Sequence, residues 1–523
     1  MQQQSISSAA TPRSQREAVH LTPDEFRALG NDLVERIAAF LDRLPSLPVT
    51  PGESAEAVRA LLPVGGLPEQ GAEPAALLAE TAEMLFAHSL FNGHPRFFGY
   101  ITSSPAPLGM LADLLAAAVN SNVAFFSAAP AATEIETQAI RWIAELIGYP
   151  TDCGGLFVSG GNMANFVALL AARASRSGWD VRTRGMAPGG GRLRIYASSE
   201  THTWLQKSAD LAGLGTEAIS WIPADCHGRI TADAVRERIA ADRAQGYQPL
   251  CVVGTAGSVA TGTVDPLLDL AQLCREEGLW FHVDGAYGGF AAALLDDAHG
   301  VGGIRVPDDL RAIALADSVA IDPHKWLYSP LEAGCVLVRR RTDLLGAFSG
   351  RPSYYHSVEE DEDGQQPLSY HEYGPQNSRG FRALKVWLGL RQTGGSGVRR
   401  QIANDIALAE ALAQRIAATP ELRLVTLQLS ITTFRYVPSD LTPGSSTAVD
   451  AYLDRLNTAL LERLQQSGEA FVSNAALGGK FLLRACIVNF RTTLADIEAL
   501  PEIVARHGRA LDSVLRGELA YLA

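Results

Sequence analysis

Four segments of this chain carry residue types that can act together in catalysis. In 321-IDPHKWLYSP-330, Lys325 follows His324 just after an apolar run ending near Ile321, and ligands in an open α/β sheet collect beyond the carboxyl ends of such strands. In 281-FHVDGAYGG-289, Asp284 ends an apolar strand and precedes small residues that let something flat approach the backbone, although an Asp there can equally cap a helix. The segment 157-FVSGGNMANFVALLAAR-173 reads as a strand end, a Ser-Gly-Gly-Asn turn and a long apolar-periodic helix. Its glycines allow backbone amides to turn toward a phosphate, and the helix N-terminus adds partial positive charge. Fourth, 195-IYASSETHTW-204 runs from a strand into a loop with His202 at its exit, where a capping or packed histidine is the alternative reading. Together the segments supply a phosphate cradle, an aromatic stacking partner, a carboxylate and a lysine.

The elements that must position these residues follow from periodicity. The chain has 523 residues, 47% hydrophobic and 19% charged, a globular composition with room for two to four structural units by length. Lys plus Arg number 44 against 57 Asp plus Glu, and the net charge of −13 argues against nucleic-acid binding. Six scattered cysteines form no CxxC pair, so no zinc site, metal or disulfide framework is expected, and reduced, buried thiols are the default reading. The N-terminus lacks an apolar leader, and the longest apolar stretch, 108–119, is too short to span a bilayer, so the expected setting is cytoplasmic, with no membrane partner.

Residues 1–20 read as a polar, disordered tail. Thr22-Pro23-Asp24-Glu25 is a capping-box signature, and Phe26, Leu29, Leu33, Ile37, Phe40, Leu41 and Leu44 then form one apolar helical stripe. A second helical run covers about 72–89. These helices, residues 21–105, are too small to form a core alone and are expected to bury their stripe against a second subunit. From 106 to 395, helical segments alternate with short β-branched runs such as 250–255, 280–285 and 335–338, the pattern of parallel βαβ units. Residues 396–523 read as helix (400–417), strand (429–437), helix (447–466), strand (481–490) and helix, a small α+β unit. The stretch 343–374 is long, polar and turn-rich in its middle, with an acidic run at 359–363, and reads as a lid.

With these motifs in hand, the chain resembles the group II pyridoxal-phosphate-dependent amino-acid decarboxylases, and among them the aromatic-L-amino-acid decarboxylases. The resemblance covers nearly everything after residue 20 and rests on 94-HPRFFGYI-101, 133-TEIE-136, HVDGAY, DPHKW, 379-RGFRALKVW-387 and 483-LRACIVNFRTT-493 in that order. It implies an α/β chain of the aspartate-aminotransferase-like fold type I: a large domain with a mixed, mostly parallel sheet, an N-terminal helical segment, a small C-terminal α+β domain and a homodimer with reciprocal sites. It further implies pyridoxal 5'-phosphate as cofactor, bound through a Schiff base to Lys325, with Asp284 on the pyridine nitrogen to favour the protonated, electron-draining ring. By the same resemblance His202 is expected to stack on one ring face and Ala286 to pack on the other, with Gly161, Asn162 and His324 holding the phosphate.

The resemblance also implies that a tyrosine on the lid returns a proton to Cα. Tyr354 is the best match, and Tyr355 is adjacent. Family members with Phe there release an aldehyde, so Tyr favours a simple amine product. Tyr100 and Phe125, the latter from the partner subunit, match positions that line the side-chain pocket, and the scarcity of cationic residues in those stretches points to an aromatic substrate over an acidic one. The sequence departs from the family at Asp322, which stands where animal enzymes carry Asn and receives no phosphate role, and at Gly285; Ser258 is given no cofactor role. The rival readings are a same-fold aminotransferase with Arg484 on the substrate carboxylate, a decarboxylating aldehyde synthase, a decarboxylase of a non-aromatic amino acid, and a non-catalytic cofactor-binding scaffold. On the family match Arg484 is structural.

Overall fold

A computed structural model of the chain describes residues 19–186, 192–295, 303–350 and 368–522. The tail, apart from its last two residues, the 359–363 acidic run, Tyr354 and Tyr355 lie outside the described residues. The capping box is formed: the Thr22 hydroxyl accepts the Glu25 N–H, and Glu25 accepts the Thr22 N–H at 2.8 Å, opening α1 (Pro23–Arg43). No residue of α1 is buried. It pairs with α2 (Pro74–Ala87) through Phe40 stacked on Phe86, ring centroids 4.4 Å apart. The next helix, α3 (Pro107–Val119), leaves Leu111, Leu114, Leu115 and Val119 exposed. Among the described residues no helix is long and apolar enough to cross a membrane.

The central sheet has seven strands: β1 (Gly154–Val158), β2 (Arg192–Ser198), β3 (Ile219–Ile222), β4 (Tyr247–Thr255), β5 (Trp280–Asp284), β6 (Ser318–Ile321) and β7 (Gly334–Val338), in the order β1-β7-β6-β5-β4-β2-β3. Pairs from β6 through β3 are parallel, and β7 runs antiparallel to both β6 and β1. The 335–338 run is therefore a strand but not part of a parallel βαβ unit. Only a short stretch without a described crossover helix separates β6 from β7, and a parallel return needs such a crossover. Two reversals restore direction, so β1 points the same way as β6. Helices α4 (Pro130–Leu146), α5 (Gly161–Arg176), α6 (Trp204–Leu211), α7 (Ala232–Ala244) and α8 (Leu267–Glu277) cover the sheet. Strands β1, β5, β6 and β7 are buried along their full lengths, as expected where both faces of a sheet are covered.

A long helical run, α9 (Ala383–Ala418), is broken at Gly394, whose φ of 63° interrupts it, and leads to a second apolar core. Here four antiparallel strands stand where two were expected: β8 (Leu422–Gln428), β9 (Ile431–Tyr436), β10 (Ser473–Leu477) and β11 (Lys480–Cys486), ordered β10-β11-β9-β8 and packed against α10 (Thr447–Ser467) and α11 (Leu494–Leu522). The extra strands are the sheet edges. β8 buries little beyond Leu422, so its apolar signal is weak. β10 is announced only by its two-residue turn Gly478-Gly479, both at positive φ. The 343–374 stretch also departs from expectation at its ends: a helix covers Arg341–Phe348, and Tyr370 is fully buried. All six cysteines are free, and Cys226 is exposed where burial was expected.

Candidate active site

Because β1, β2, β4, β5 and β6 point the same way, their carboxyl ends open onto one cavity of about 650 Å³. Lys325 enters it from the turn after β6. That turn is built by two successive backbone bonds, Lys325 N–H to Asp322 O (2.9 Å) and Tyr328 N–H to Lys325 O (3.1 Å), with the Ser103 hydroxyl on His324 O at 2.8 Å. Tyr328 sits at φ 52°, a conformation unfavourable for a bulky side chain, and must be held there. The holder is Asp405 of α9, fully buried, whose Oδ2 accepts both Tyr328 Oη (2.6 Å) and Trp326 Nε1 (3.1 Å).

Burial pushes the Asp405 carboxyl up to about 8, against the lowering effect of those two donors. An unfolded Asp titrates near about 3.9, so between about pH 4 and 8 the native state retains a proton the unfolded chain has lost, and stability falls as pH rises through that window. Asp405→Asn is expected to remove this slope. The difference in Tm between wild type and variant, measured by calorimetry from pH 5 to pH 8, shifts steadily against the wild type; parallel curves would refute it.

Asp322 is turned toward the Lys325 amine and the His324 ring. Its Oδ2 lies 3.0 Å from Lys325 Nζ and 3.6 Å from His324 Nε2, while Oδ1 is buried without a partner. The His324 ring, held below its usual pKa by burial, keeps Nδ1 against the Ala333 carbonyl at 2.8 Å.

Asp284 ends β5 with both oxygens engaged: Oδ1 accepts Ala286 N–H (3.2 Å) and Oδ2 accepts Trp204 Nε1 (2.7 Å). Behind it, Trp280 Nε1 donates to Ser318 Oγ (2.8 Å). Ser318 Oγ in turn lies 2.8 Å from His282 Nδ1, and His282 Nε2 lies 2.6 Å from Asn165 Oδ1. The serine has one proton to give, so the directed chain that satisfies every group places the imidazole proton on Nε2. Burial lowers the His282 pKa to about 4, which keeps that ring neutral. His202 receives Trp204 N–H on Nδ1 at 3.2 Å, and desolvation in the cavity lowers its pKa.

The floor of the cavity is the start of α5. The first amides of α5 have no helical acceptors, and Gly160, at φ 123°, supplies no side chain to cap them. A Cβ at Gly161 would fall 2.7 Å from Asp322 Oδ2 and 3.0 Å from the Ala286 Cβ, so only glycine leaves this approach open. At another wall the Thr255 hydroxyl is buried with no partner. Uncapped amides, an orphan hydroxyl, a carboxylate and a lysine on one cavity fit a flat, phosphorylated, carbonyl-bearing ring.

Of the residues singled out in the sequence, Gly161, Asn162, His202, Asp284, Ala286, His324, Lys325 and Tyr100 all line this cavity. Phe125 does not line the cavity of its own chain; its ring lies 4.5 Å from that of His371. Sequence reasoning missed Trp204 and Thr255, although each ends a segment it had singled out, and it expected Arg484 to be structural. Arg484 lines the cavity too, is buried, and donates to the Val259 carbonyl; its Nε has no partner and no carboxylate pairs with it among the described residues.

A lysine on the same cavity as the uncapped amides of α5, at the carboxyl ends of such a sheet, fits a pyridoxal-phosphate enzyme of the amino-acid-transforming kind. Residues 58–437 match the pyridoxal-dependent decarboxylase conserved domain, and the chain belongs to that family. It is 33% identical to the aromatic-L-amino-acid decarboxylase of Bacillus atrophaeus over 92% of this chain and 95% of that one. It is 26% identical to the phenylacetaldehyde synthase of a Rosa hybrid cultivar over 94% of this chain and 95% of that one. The crystal structure of Oryza sativa TDC with PLP and tryptamine superposes with a TM-score of 0.84 at 25% identity, covering 94% of this chain and 99% of that one. The protein is thus a carboxy-lyase that uses pyridoxal 5'-phosphate to decarboxylate an amino acid.

Proposed function

We propose that the substrate is an L-amino acid with an aromatic side chain and that the product is the corresponding amine. The observation that carries this reading is the outer wall of the cavity, where Tyr100, Ile101, Val259, Ala260 and Leu331 present mainly apolar surface to a side chain. The Bacillus relative bears an aromatic-amino-acid name in the same sense. When bound, the cofactor supplies the sink for the electron pair released as the Cα–carboxylate bond breaks.

The chain's own residues do the rest. Lys325 Nζ, on the cavity wall, would hold the cofactor through its carbonyl carbon. Asp284 would pair with the ring nitrogen, His202 and Ala286 would lie against the ring, and Gly161, Asn162 and His324 would hold the phosphate. Tyr354 Oη delivers the proton that Cα needs after CO₂ leaves. The protein acts as a homodimer: α1 and α3 leave Phe26, Val34, Leu111, Leu114 and Leu115 exposed, and Phe125, away from its own cavity, contributes to the partner's.

A second reading, an acidic substrate, is favoured by one observation. The Arg484 guanidinium in the cavity wall, bonded to the Val259 carbonyl but to no carboxylate among the described residues, can receive a distal carboxylate. One experiment separates the readings: the purified protein with cofactor is offered tyrosine, tryptophan, phenylalanine, DOPA and glutamate, and products are identified by mass. Amines from the aromatic acids are expected. An amine from glutamate alone would transfer the assignment to the second reading, and aldehyde with ammonia and peroxide would make the chain an aldehyde synthase. In the same assay Tyr354→Phe is expected to lose amine formation while Tyr355→Phe retains it.

A further inference from the structure

We propose that Trp204 is a positioning residue of the reaction, fixing the two side chains that contact the cofactor ring. The inference rests on the proposed pairing of Asp284 with the ring nitrogen and goes beyond it, since it concerns what holds that carboxylate. Trp204 is the first residue of α6 and is almost wholly buried in the cavity wall. An indole N–H can only donate, and inside a protein it must find an acceptor. Here the acceptor is Asp284 Oδ2 at 2.7 Å. The same residue's backbone N–H donates to His202 Nδ1 at 3.2 Å. One residue therefore orients both the carboxylate and the stacking imidazole.

The indole is itself held. Its ring meets His282 edge-on, centroids 5.7 Å apart at 82°, and His282 is pinned by Ser318 and Asn165 on its two nitrogens. His282 and Asp284 lie two residues apart on β5 and project to the same side of the strand, so the indole spans both. Without the Trp204 donor, Asp284 keeps, among the described residues, the Ala286 N–H on its other oxygen and is less restrained about its Cβ–Cγ bond. A charged acceptor misaligned by that rotation loses much of its pairing with the ring.

The test uses the full-length protein, stripped of cofactor and titrated with pyridoxal 5'-phosphate, with fluorescence quenching giving Kd and absorption recorded across pH. Trp204→Phe keeps the ring and removes the N–H. It is expected to weaken cofactor binding about tenfold, the scale of one hydrogen bond to a charged group, to shift the pH dependence of the bound cofactor's absorption, and to lower kcat while KM for the amino acid stays within about twofold. In an Asp284→Asn background the same change is expected to add little, because the interaction it removes is already altered.

Wild-type affinity and spectrum in Trp204→Phe, or full additivity with Asp284→Asn, would overturn the proposal. If Asp284→Asn alone leaves affinity and spectrum untouched, the Asp284 reading fails instead, and the two failures are distinct. Should Trp204→Phe not fold, Trp204→Gln and Trp204→Met form a matched pair that differs in the donor. Gln is expected to bind cofactor more tightly than Met, and equal affinities would refute the role.

Discussion

Lys325→Ala is expected to lower turnover by at least about 10³-fold, the scale on which removal of a positioned reacting group is felt. The reason is location as much as chemistry. Lys325 Nζ is an amine of the cavity wall held 3.0 Å from a buried carboxylate, Asp322, on a turn whose aromatic residues are tied to Asp405. The amides at the start of α5 are untouched by the substitution, so the variant still binds cofactor, reversibly. Treatment with borohydride followed by peptide mass analysis is expected to fix the cofactor on residue 325 in the wild type and nowhere in the variant. Full turnover in Lys325→Ala, or a label on another lysine of the wild type, would remove the basis of the proposed function.

The site was legible wherever its chemistry sits on consecutive residues after a buried strand. HVDGAY and DPHKW each place a polar group one step past an apolar run, and β5 and β6 do end at Asp284 and Ile321. What pattern cannot show is which residue across the sheet answers each group. The Trp204 partner of Asp284 is 80 residues away and the Asp405 partner of Tyr328 is 77, and neither separation has a periodicity. That Arg484 lines the cavity was hidden for a related reason. Its strand, β11, pairs with β9 on one side and with β10 on the other, and only that register, Arg484 opposite Ser473 and Thr433, carries it to the cavity. The edge strands β8 and β10 escaped notice for different reasons: β8 buries little beyond Leu422, and β10 alternates in burial but buries only Ser473 and Ala475, too small and polar to write an apolar pattern.

Arg379→Met is expected to destabilise the protein by about 3–5 kcal/mol, the cost of stranding a buried charge. The two family segments TEIE and RGFRALKVW meet at this residue. Arg379 and Glu136 are both almost wholly inaccessible and bonded through the two terminal guanidinium nitrogens, Nη1 at 3.3 Å from Oε2 and Nη2 on Oε1. Arg379 also donates to the carbonyls of Val123 (2.7 Å) and Phe157 (2.9 Å), Glu136 accepts the Phe157 N–H (2.9 Å), and the guanidinium lies 4.7 Å from the Tyr370 ring centroid.

The pair therefore ties together the end of β1, two residues before the glycine turn that opens α5, and the segment that carries Phe125. Breaking it loosens the cradle's strand and the proposed contribution to the partner's site at once. Thermal and urea unfolding of the single variant should show the loss. The double variant Glu136→Met, Arg379→Met should regain much of it, because an apolar pair of similar volume leaves no charge unpaired. Cofactor affinity should not return with stability, since methionines cannot bond the Phe157 and Val123 backbone. A single variant within about 0.5 kcal/mol of wild type, the range of an ordinary surface change, would mean that the pair supports neither.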